Sequence, residues 1–335
     1  MIAALLVVLA LSVLVLLHEI GHALVARAVG LRITDFSIGL GPSLARWTWG
    51  RVVMRIGVVP FGGFVRVEGL GPGEETPGRY VPRNVAARML VVLAGPLCNY
   101  LLAVACAAAV AWGWGIETGR IVGLEVTAVG ASAAASGLRT GDVVLAVDGR
   151  AVECVADLSR ALAAANGGEV DLTVLRDGRK TTLRAQPQEA NGRWGLGARY
   201  VVRPELRATD ALASLASGAA YPIERSVVLL RNAAEMFEPE SGVHPVSAAG
   251  LADRVARSGA WDVRRALGLL ALLSVVVGLF NLLPLPGLDG GRLLIEAIEA
   301  ARRRRLPVAW ATGVQVAGMV VLLGMWVAVT LADLM

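Results

Sequence analysis

The sequence predicts a membrane protein, mainly α-helical: about four transmembrane helices, a membrane-associated β element and an inserted extracytoplasmic α+β domain. Three observations predict it. The 335 residues are 56% hydrophobic and only 18% charged, with a mean hydropathy of +0.62. Four segments, residues 2–29, 89–114, 266–283 and 306–331, are apolar over about the 20 residues that a helix needs to cross a bilayer. Between them lie stretches that alternate with a period of two, as strands do.

The first span has no basic residue before its apolar run, so it is expected to remain as a span and not to be removed as a signal peptide. Residues 30–88 follow as a β-rich loop. Phe36-Ser37-Ile38-Gly39-Leu40 alternates, and residues 52–58 and 64–67 read as further strands. The loop is apolar enough to lie against the membrane or dip into it, where protein or a water-filled cavity must satisfy its backbone. Residues 69–82 read as a Gly/Pro/Glu linker.

The second span, 89–114, carries Cys98 and Cys106. Eight residues on a helix are about 12 Å of axis, too far for a disulfide. Cys154 stands alone, so the three cysteines read as small packing residues. Residues 115–190 form the inserted domain. A strand at 121–129, a short helical turn at 133–138, a strand at 143–147 and a helix at 155–165 follow one another. A hairpin of 170–175 with 180–185 closes around Arg176-Asp177-Gly178. Residues 191–265 read as a connector with amphipathic helices. The third span with its Pro-rich end covers 266–291, a basic segment 292–305 and the last helix 306–335.

A net charge of +5 and a pI near 9.6 do not point to nucleic acid. The loop after the first span carries Arg32, Arg46, Arg51, Arg55, Arg66, Arg79, Arg83 and Arg88, and the loop before the last carries Arg302-Arg303-Arg304-Arg305. Arginines beside spans are orientation signals and place both loops in the cytoplasm. Both chain ends and the inserted domain are then expected outside it.

The chemistry sits in the first span. Ionisable groups in such a segment are costly and need a reason, yet His18-Glu19-Ile20-Gly21-His22 falls inside it, and the whole chain has three histidines. His18 and His22, four apart, share one helix face and are close enough to hold one metal ion. Neutral imidazoles suit zinc, whose catalytic sites use three protein ligands and leave a fourth position open. Glu19, beside the first ligand, is placed to take a proton from a water that zinc has acidified. His-Glu-x-x-His is therefore a metalloprotease signature with a mechanism.

A third ligand is needed. His244 lies in the external Pro-rich stretch, on the wrong side of the membrane. Asp289, in Asn281-Leu282-Leu283-Pro284-Leu285-Pro286-Gly287-Leu288-Asp289-Gly290, lies on the right one. His18 is about 25 Å of helix from the outer end of its span, and Asn281 is a similar length from the outer end of the third. Pro284 and Pro286 break that helix, so Asp289 follows near the same depth. Asp289 also reads as an N-cap for a helix over 290–299, and the two roles are compatible.

Two resemblances carry the reading further. GASAAASGLRTGDVVLAVDGRAV, within the inserted domain, is similar to bacterial protease-associated PDZ domains. His-Glu-x-x-His, the Asn-x-x-Pro-x-Pro-x-Leu-Asp-Gly match at 281–290, Leu93-Ala94-Gly95-Pro96-Leu97-Cys98-Asn99 and that domain together resemble the site-2 protease family, closest to the bacterial regulator-of-sigma-E protease group. The resemblance implies an intramembrane zinc metalloprotease of the bacterial inner membrane, cutting transmembrane segments such as those of anti-sigma factors or remnant signal peptides. It implies Zn2+ held by His18, His22 and Asp289, with Glu19 as general base. Asn281 would hold substrate near the metal, and Gly62, Gly63 and Phe64 would belong to a membrane-facing β element that contacts substrate. Relatives often read Gly-Pro-Val-Gly-Ile where this chain has Val243-His244-Pro245-Val246-Ser247.

A substrate helix must unwind before its carbonyls can react, which exposes costly backbone groups in lipid. Residues 52–67 are expected to offer a strand edge for them. The implied partners are transmembrane substrates and the lipid bilayer, without nucleic acid. The alternatives are a metal-ion transporter using the same three ligands and an inactive membrane scaffold presenting the PDZ domain.

Overall fold

The computed structural model describes residues 2–68, 70, 85–190, 193–235, 262–302 and 306–334. The 69–82 linker apart from Leu70, His244 with its Pro-rich stretch, and Arg303–305 lie outside them. The chain forms two units, Met1–Val110 with Leu212–Ala256 and Val263–Met335, and Ala111–Ala211 with Arg257–Asp262.

Four helices of the first unit are long and apolar enough to cross a membrane: within α1 (Ile2–Ala28), α2 (Val85–Trp114), and, further along the chain, helices Val263–Leu282 and Val308–Leu334. Each agrees with an expected span to within a few residues at most ends. α2 begins four residues earlier than expected, which draws Arg88 into the helix. There its guanidinium lies 2.8 Å from Glu296 Oε2, with Glu296 buried and Arg88 half-buried. Half-buried arginine is tolerated when a carboxylate takes its donors, and this pair overrides the basic-loop reading of residue 88.

β1 (Ile33–Trp49) and β2 (Val52–Val67) form a two-stranded sheet whose register shifts at its glycines. The outer run, Ser43 to Trp49, pairs antiparallel with Gly57 to Val52 around Gly50. The inner run of β1, Asp35 to Ile38, pairs with Arg66 to Gly63 and also with Val53 to Ile56. The inner run is thus flanked on both sides, which buries Asp35, Ser37 and Gly39 while residues 40–49 stay exposed. Arg55 from one flank and Arg66 from the other both reach the Asp35 carboxylate. This arrangement corrects the expectation for residues 52–58. Residues 53–56 have strand partners on two sides and offer no edge. The edge is the run Gly63–Val67, whose outer side has no strand partner among the described residues. The base of this sheet packs into a cluster of Ala26, Val67, Leu70, Val91 and Val92, against which Leu293 also rests.

The second unit is built on a sheet of order β10-β3-β4-β6-β7, with β5 paired to β4. Its elements are β3 (Ile116–Val129), α3 (Ala131–Ala135), β4 (Val143–Val147), β5 (Arg150–Ala151), α4 (Val155–Ala164), β6 (Val170–Arg176), β7 (Arg179–Ala185), β8 (Gln188–Ala190), β9 (Arg193–Gly195) and β10 (Ala198–Arg207). Asp148-Gly149 and Asp177-Gly178 turn the chain with both residues at positive φ, the conformation that tight hairpins demand. α4 lays Leu158 and Leu162 onto a core of Leu124, Val126, Val144, Leu172 and Val174. Here the expected boundary at residue 190 is wrong. β10 pairs with β3 along nearly its whole length, so the sheet runs on to Arg207. A strand partner supplied from 69 to 91 residues away, Val129 to Ala198 and Ile116 to Arg207, leaves no local mark in sequence.

Strand content is therefore substantial, more than a mainly α-helical reading carries. α5 (Ala211–Glu235) follows, packing Ser214, Gly218 and Pro222 inward, with Tyr100 of α2 bonded to Ser226 at 2.6 Å. The third span, α6 (Val263–Leu282), ends at the Pro-Leu-Pro-Gly loop. α7 (Asp289–Arg302) fills most of what read as a basic segment, and α8 (Val308–Leu334) closes the chain.

Candidate metal centre

The site begins with helix geometry. His18 and His22 leave α1 on one face, and their rings meet edge to face at 4.7 Å between centroids. α1 can bring that face onto α2 because residue 21 is glycine. A Cβ there would sit 2.6 Å from the Ala94 carbonyl oxygen and 2.8 Å from Cys98 Cβ. Gly95 does the same from the other side: a Cβ there would lie 2.7 Å from His18 Nε2. A side chain at 95 would fill the space beside the imidazoles.

The third group comes from the far end of the chain. Pro284 and Pro286 stop α6, and the loop turns at Gly287, where φ is +91. α7 then starts at Asp289, pressed so close to the loop that a Cβ on Gly290 would meet the Leu282 and Leu283 main chain. Asp289 Oδ2 lies 2.9 Å from His18 Nε2 and 3.3 Å from His22 Nε2, and the two Nε2 atoms are 3.1 Å apart. One ligand atom from each of the three residues falls within 4.8 Å of the others.

Hydrogen bonding shows what this arrangement asks for. His22 Nδ1 is 2.7 Å from the Val91 carbonyl oxygen. A carbonyl only accepts, so the proton of the neutral ring sits on Nδ1 and Nε2 keeps its lone pair. Three acceptors then converge with at most one proton, that of His18, to share among them. A cation satisfies all three. Zinc held tetrahedrally at about 2.0–2.1 Å has donor–donor edges of about 3.3 Å, and the three separations lie at or just inside that edge. The residues fit zinc.

Glu19 lies beside the cluster. The main chain of Val65 hydrogen-bonds its carboxylate, and a Cβ on Gly63 would touch its Cγ at 3.3 Å. The free strand edge and the acid therefore adjoin each other.

The family follows from comparison of the whole chain. Residues 6–325 match the sequence model of Peptidase family M50. The chain belongs to this family. It is 30% identical to "Metalloprotease MmpA" of Caulobacter vibrioides, across 94% of this chain and 90% of that protein. It is 31% identical to a "Putative zinc metalloprotease" of Mesorhizobium japonicum, across 88% of both. A protein of the same name from Clostridium perfringens is 29% identical across 97% of this chain and 96% of its own. The site-2 protease resemblance is thereby established. This M50 protein is a metalloprotease, its relatives' names imply zinc, and its apolar helices make it a multi-pass membrane protein.

Sequence reasoning placed His18, Glu19, His22 and Asp289 together, and they are together. Of Gly62, Gly63 and Phe64, Gly63 reaches Glu19. Gly62 faces Leu40, where a Cβ would meet Cδ1 at 2.9 Å, and the Phe64 ring lies 5.9 Å from the Arg66 guanidinium. Asn281 donates its amide to the Val277 carbonyl of its own helix at 2.9 Å and takes no part in the cluster. α2 adds Val91, Gly95 and Asn99, to which sequence reasoning assigned no part in the site. Gly95 and Asn99 lie within Leu93–Asn99, the stretch that carries part of the family resemblance, whereas Val91 contributes through its main chain and leaves no signal in sequence.

Proposed function

We propose that this M50 metalloprotease hydrolyses peptide bonds within the transmembrane segments of membrane proteins, in regulated intramembrane proteolysis. The observation that carries the reading is the convergence of His18, His22 and Asp289 beside Glu19 and a free strand edge. His18 Nε2, His22 Nε2 and an Asp289 carboxylate oxygen are the ligands, and Zn2+ is the metal. When bound, zinc supplies Lewis-acid activation of the scissile carbonyl and of the attacking water. Glu19 accepts the proton of that water at its carboxylate and passes it to the leaving amine. The Val65 main chain fixes the carboxylate for both transfers.

The run Gly63–Val67 receives the unwound substrate as an added strand, which replaces the backbone bonds that lipid cannot supply. Asn281, at the end of α6, holds the chain nearer the metal through the atoms its own helix leaves over. The antiparallel sheet of residues 116–207 with α4 against it supports reading the second unit as a PDZ domain. By the arginine distribution it lies outside the cytoplasm of a bacterial inner membrane. There it restricts which substrates enter. Anti-sigma factors and remnant signal peptides are the substrate classes the family suggests.

The test uses the purified full chain in lipid with two synthetic transmembrane peptides, one poly-Leu and one with Gly-Pro near its centre. Zinc-dependent cleavage inside the apolar segment, lost with a chelator and faster for the Gly-Pro peptide, is expected. Cleavage of soluble loops alone would overturn the reading.

A further inference from the structure

α2 presents one polar side chain to the metal centre from a fully buried position. Asn99 is 0% exposed, and its Nδ2 lies 3.3 Å from His18 Nδ1. Its Oδ1 is also buried and has no hydrogen-bond partner among the described residues. A buried amide oxygen without a partner is an exception in a protein interior and calls for an explanation. The residue is held from behind: Ser274 of α6 donates to the Asn99 main-chain carbonyl at 2.8 Å.

His18 supplies the explanation. Its Nε2 faces Asp289 and His22. To offer a lone pair there to a cation, the ring must carry its one proton on Nδ1, and that proton needs an acceptor. Asn99 is the side chain at Nδ1. With Nδ2 toward the ring, the amide donates, and the proton of His18 is forced to Nε2, where it bonds the Asp289 carboxylate. That is a self-consistent arrangement without metal. A carboxamide has nearly the same shape when turned by half a circle. Turned so, Oδ1 takes the place of Nδ2, accepts from Nδ1–H and frees Nε2.

We infer that Asn99 is a positioning residue for the metal: its amide oxygen accepts the Nδ1 proton of His18 and thereby selects the tautomer whose Nε2 binds zinc. The amide has two orientations, and each is paired with one tautomer of His18. Metal loading turns the amide from donor to acceptor. His22 needs no such device, because the Val91 carbonyl can only accept. The two histidines are thus oriented differently, one by a fixed acceptor and one by a reversible one. The inference rests on the zinc-ligand reading of His18, His22 and Asp289.

The experiment measures zinc affinity of the full-length protein in lipid by competition with a chromophoric chelator. Asn99→Leu, which removes the acceptor at similar volume, is expected to weaken zinc 10–100-fold. Asn99→Asp, which keeps an acceptor at the same place, is expected to match wild type or exceed it. Affinity of Asn99→Leu within threefold of wild type overturns the inference. Because Asn99→Leu risks misfolding, a second measurement uses the wild type and Asn99→Asp alone. Nitrogen-15 spectra of the zinc-loaded protein, in which the chain has three histidines, are expected to show His18 protonated on Nδ1, with that signal moved by Asn99→Asp. An Nε2-protonated His18, or a signal that Asn99→Asp leaves in place, overturns it equally. His22→Ala separates the two readings. If it leaves zinc affinity unchanged, the ligand set itself falls. If it abolishes binding while Asn99→Leu does nothing, only the role of Asn99 falls.

Discussion

His22 Nδ1 lies 2.7 Å from the carbonyl oxygen of Val91, so the proton of one imidazole is committed to the neighbouring helix. Pro96 lies one turn beyond, inside α2, where it deletes a backbone donor and loosens the ladder. The metal centre therefore depends on how tightly α1 and α2 approach.

Gly95→Ala tests that approach. The added Cβ would stand 2.7 Å from His18 Nε2 and 2.6 Å from His22 Cε1, closer than such atoms approach. Zinc affinity is expected to fall at least about tenfold, read by chelator competition, in a protein whose α-helical circular dichroism is unchanged. Wild-type affinity would mean that the helices shift apart without cost.

Glu19→Gln and Asp289→Ala separate base from ligand. Glu19→Gln is expected to keep one zinc per chain and lose about 10²–10⁴-fold in peptide cleavage. Asp289→Ala is expected to lose zinc as well as activity, since it removes one of three ligands. Metal analysis beside a cleavage assay reads both. Full zinc occupancy in Asp289→Ala would place the third ligand elsewhere.

A proline at Val65 removes the main-chain donor that faces Glu19 and breaks the free edge at one point. Cleavage is expected to drop at least about tenfold with zinc retained. A proline at Met54, which pairs with both Phe36 and Trp47, should instead disrupt the sheet and lower expression of folded protein. Unchanged turnover in Val65→Pro would move the substrate strand to another segment.

The second unit carries a pH-dependent tie. Asp142 is buried, takes two bonds from the Arg176 guanidinium at 2.7 and 2.8 Å, and takes a third from the Arg139 main chain at 2.7 Å. Burial alone would raise its pKa, but the bonds from Arg176 and Arg139 outweigh it and hold the carboxyl below its usual range. A depressed native value stabilises the fold above the unfolded value of about 3.9, and that stability is lost as pH falls through the native one. Arg176→Met is expected to destabilise this unit by about 3 kcal/mol at neutral pH, because it leaves a buried carboxylate uncompensated. It should also flatten the decline of stability below pH 4. Denaturation followed by hydrogen exchange at Leu172 and Val174 reads both effects, and an unchanged acid limb would remove Asp142 from the account.

Local rules settled much of this protein. The four spans were legible because about 20 apolar residues have few other uses. The facing histidines followed from the 3.6-residue period, and the tight turns from Asp-Gly pairs at 148–149 and 177–178. Asp289 was proposed from an argument about depth, which draws on helical rise and proline breaks, themselves local properties, and from the motif at 281–290. Tertiary structure decided the rest. That residues 35–38 would sit between two runs of β2, leaving residues 63–67 and not 52–58 as the edge, depends on which strands meet. So does the pairing of β10 with β3 across the boundary expected at 190. Strand pairing is a contact between distant segments, and either partner read alone carries the same alternation whichever neighbour it finds. Asn99 and Gly95 gained their places the same way. In sequence they are an amide and a glycine within an apolar run; only the crossing of α1 and α2 brings them to His18.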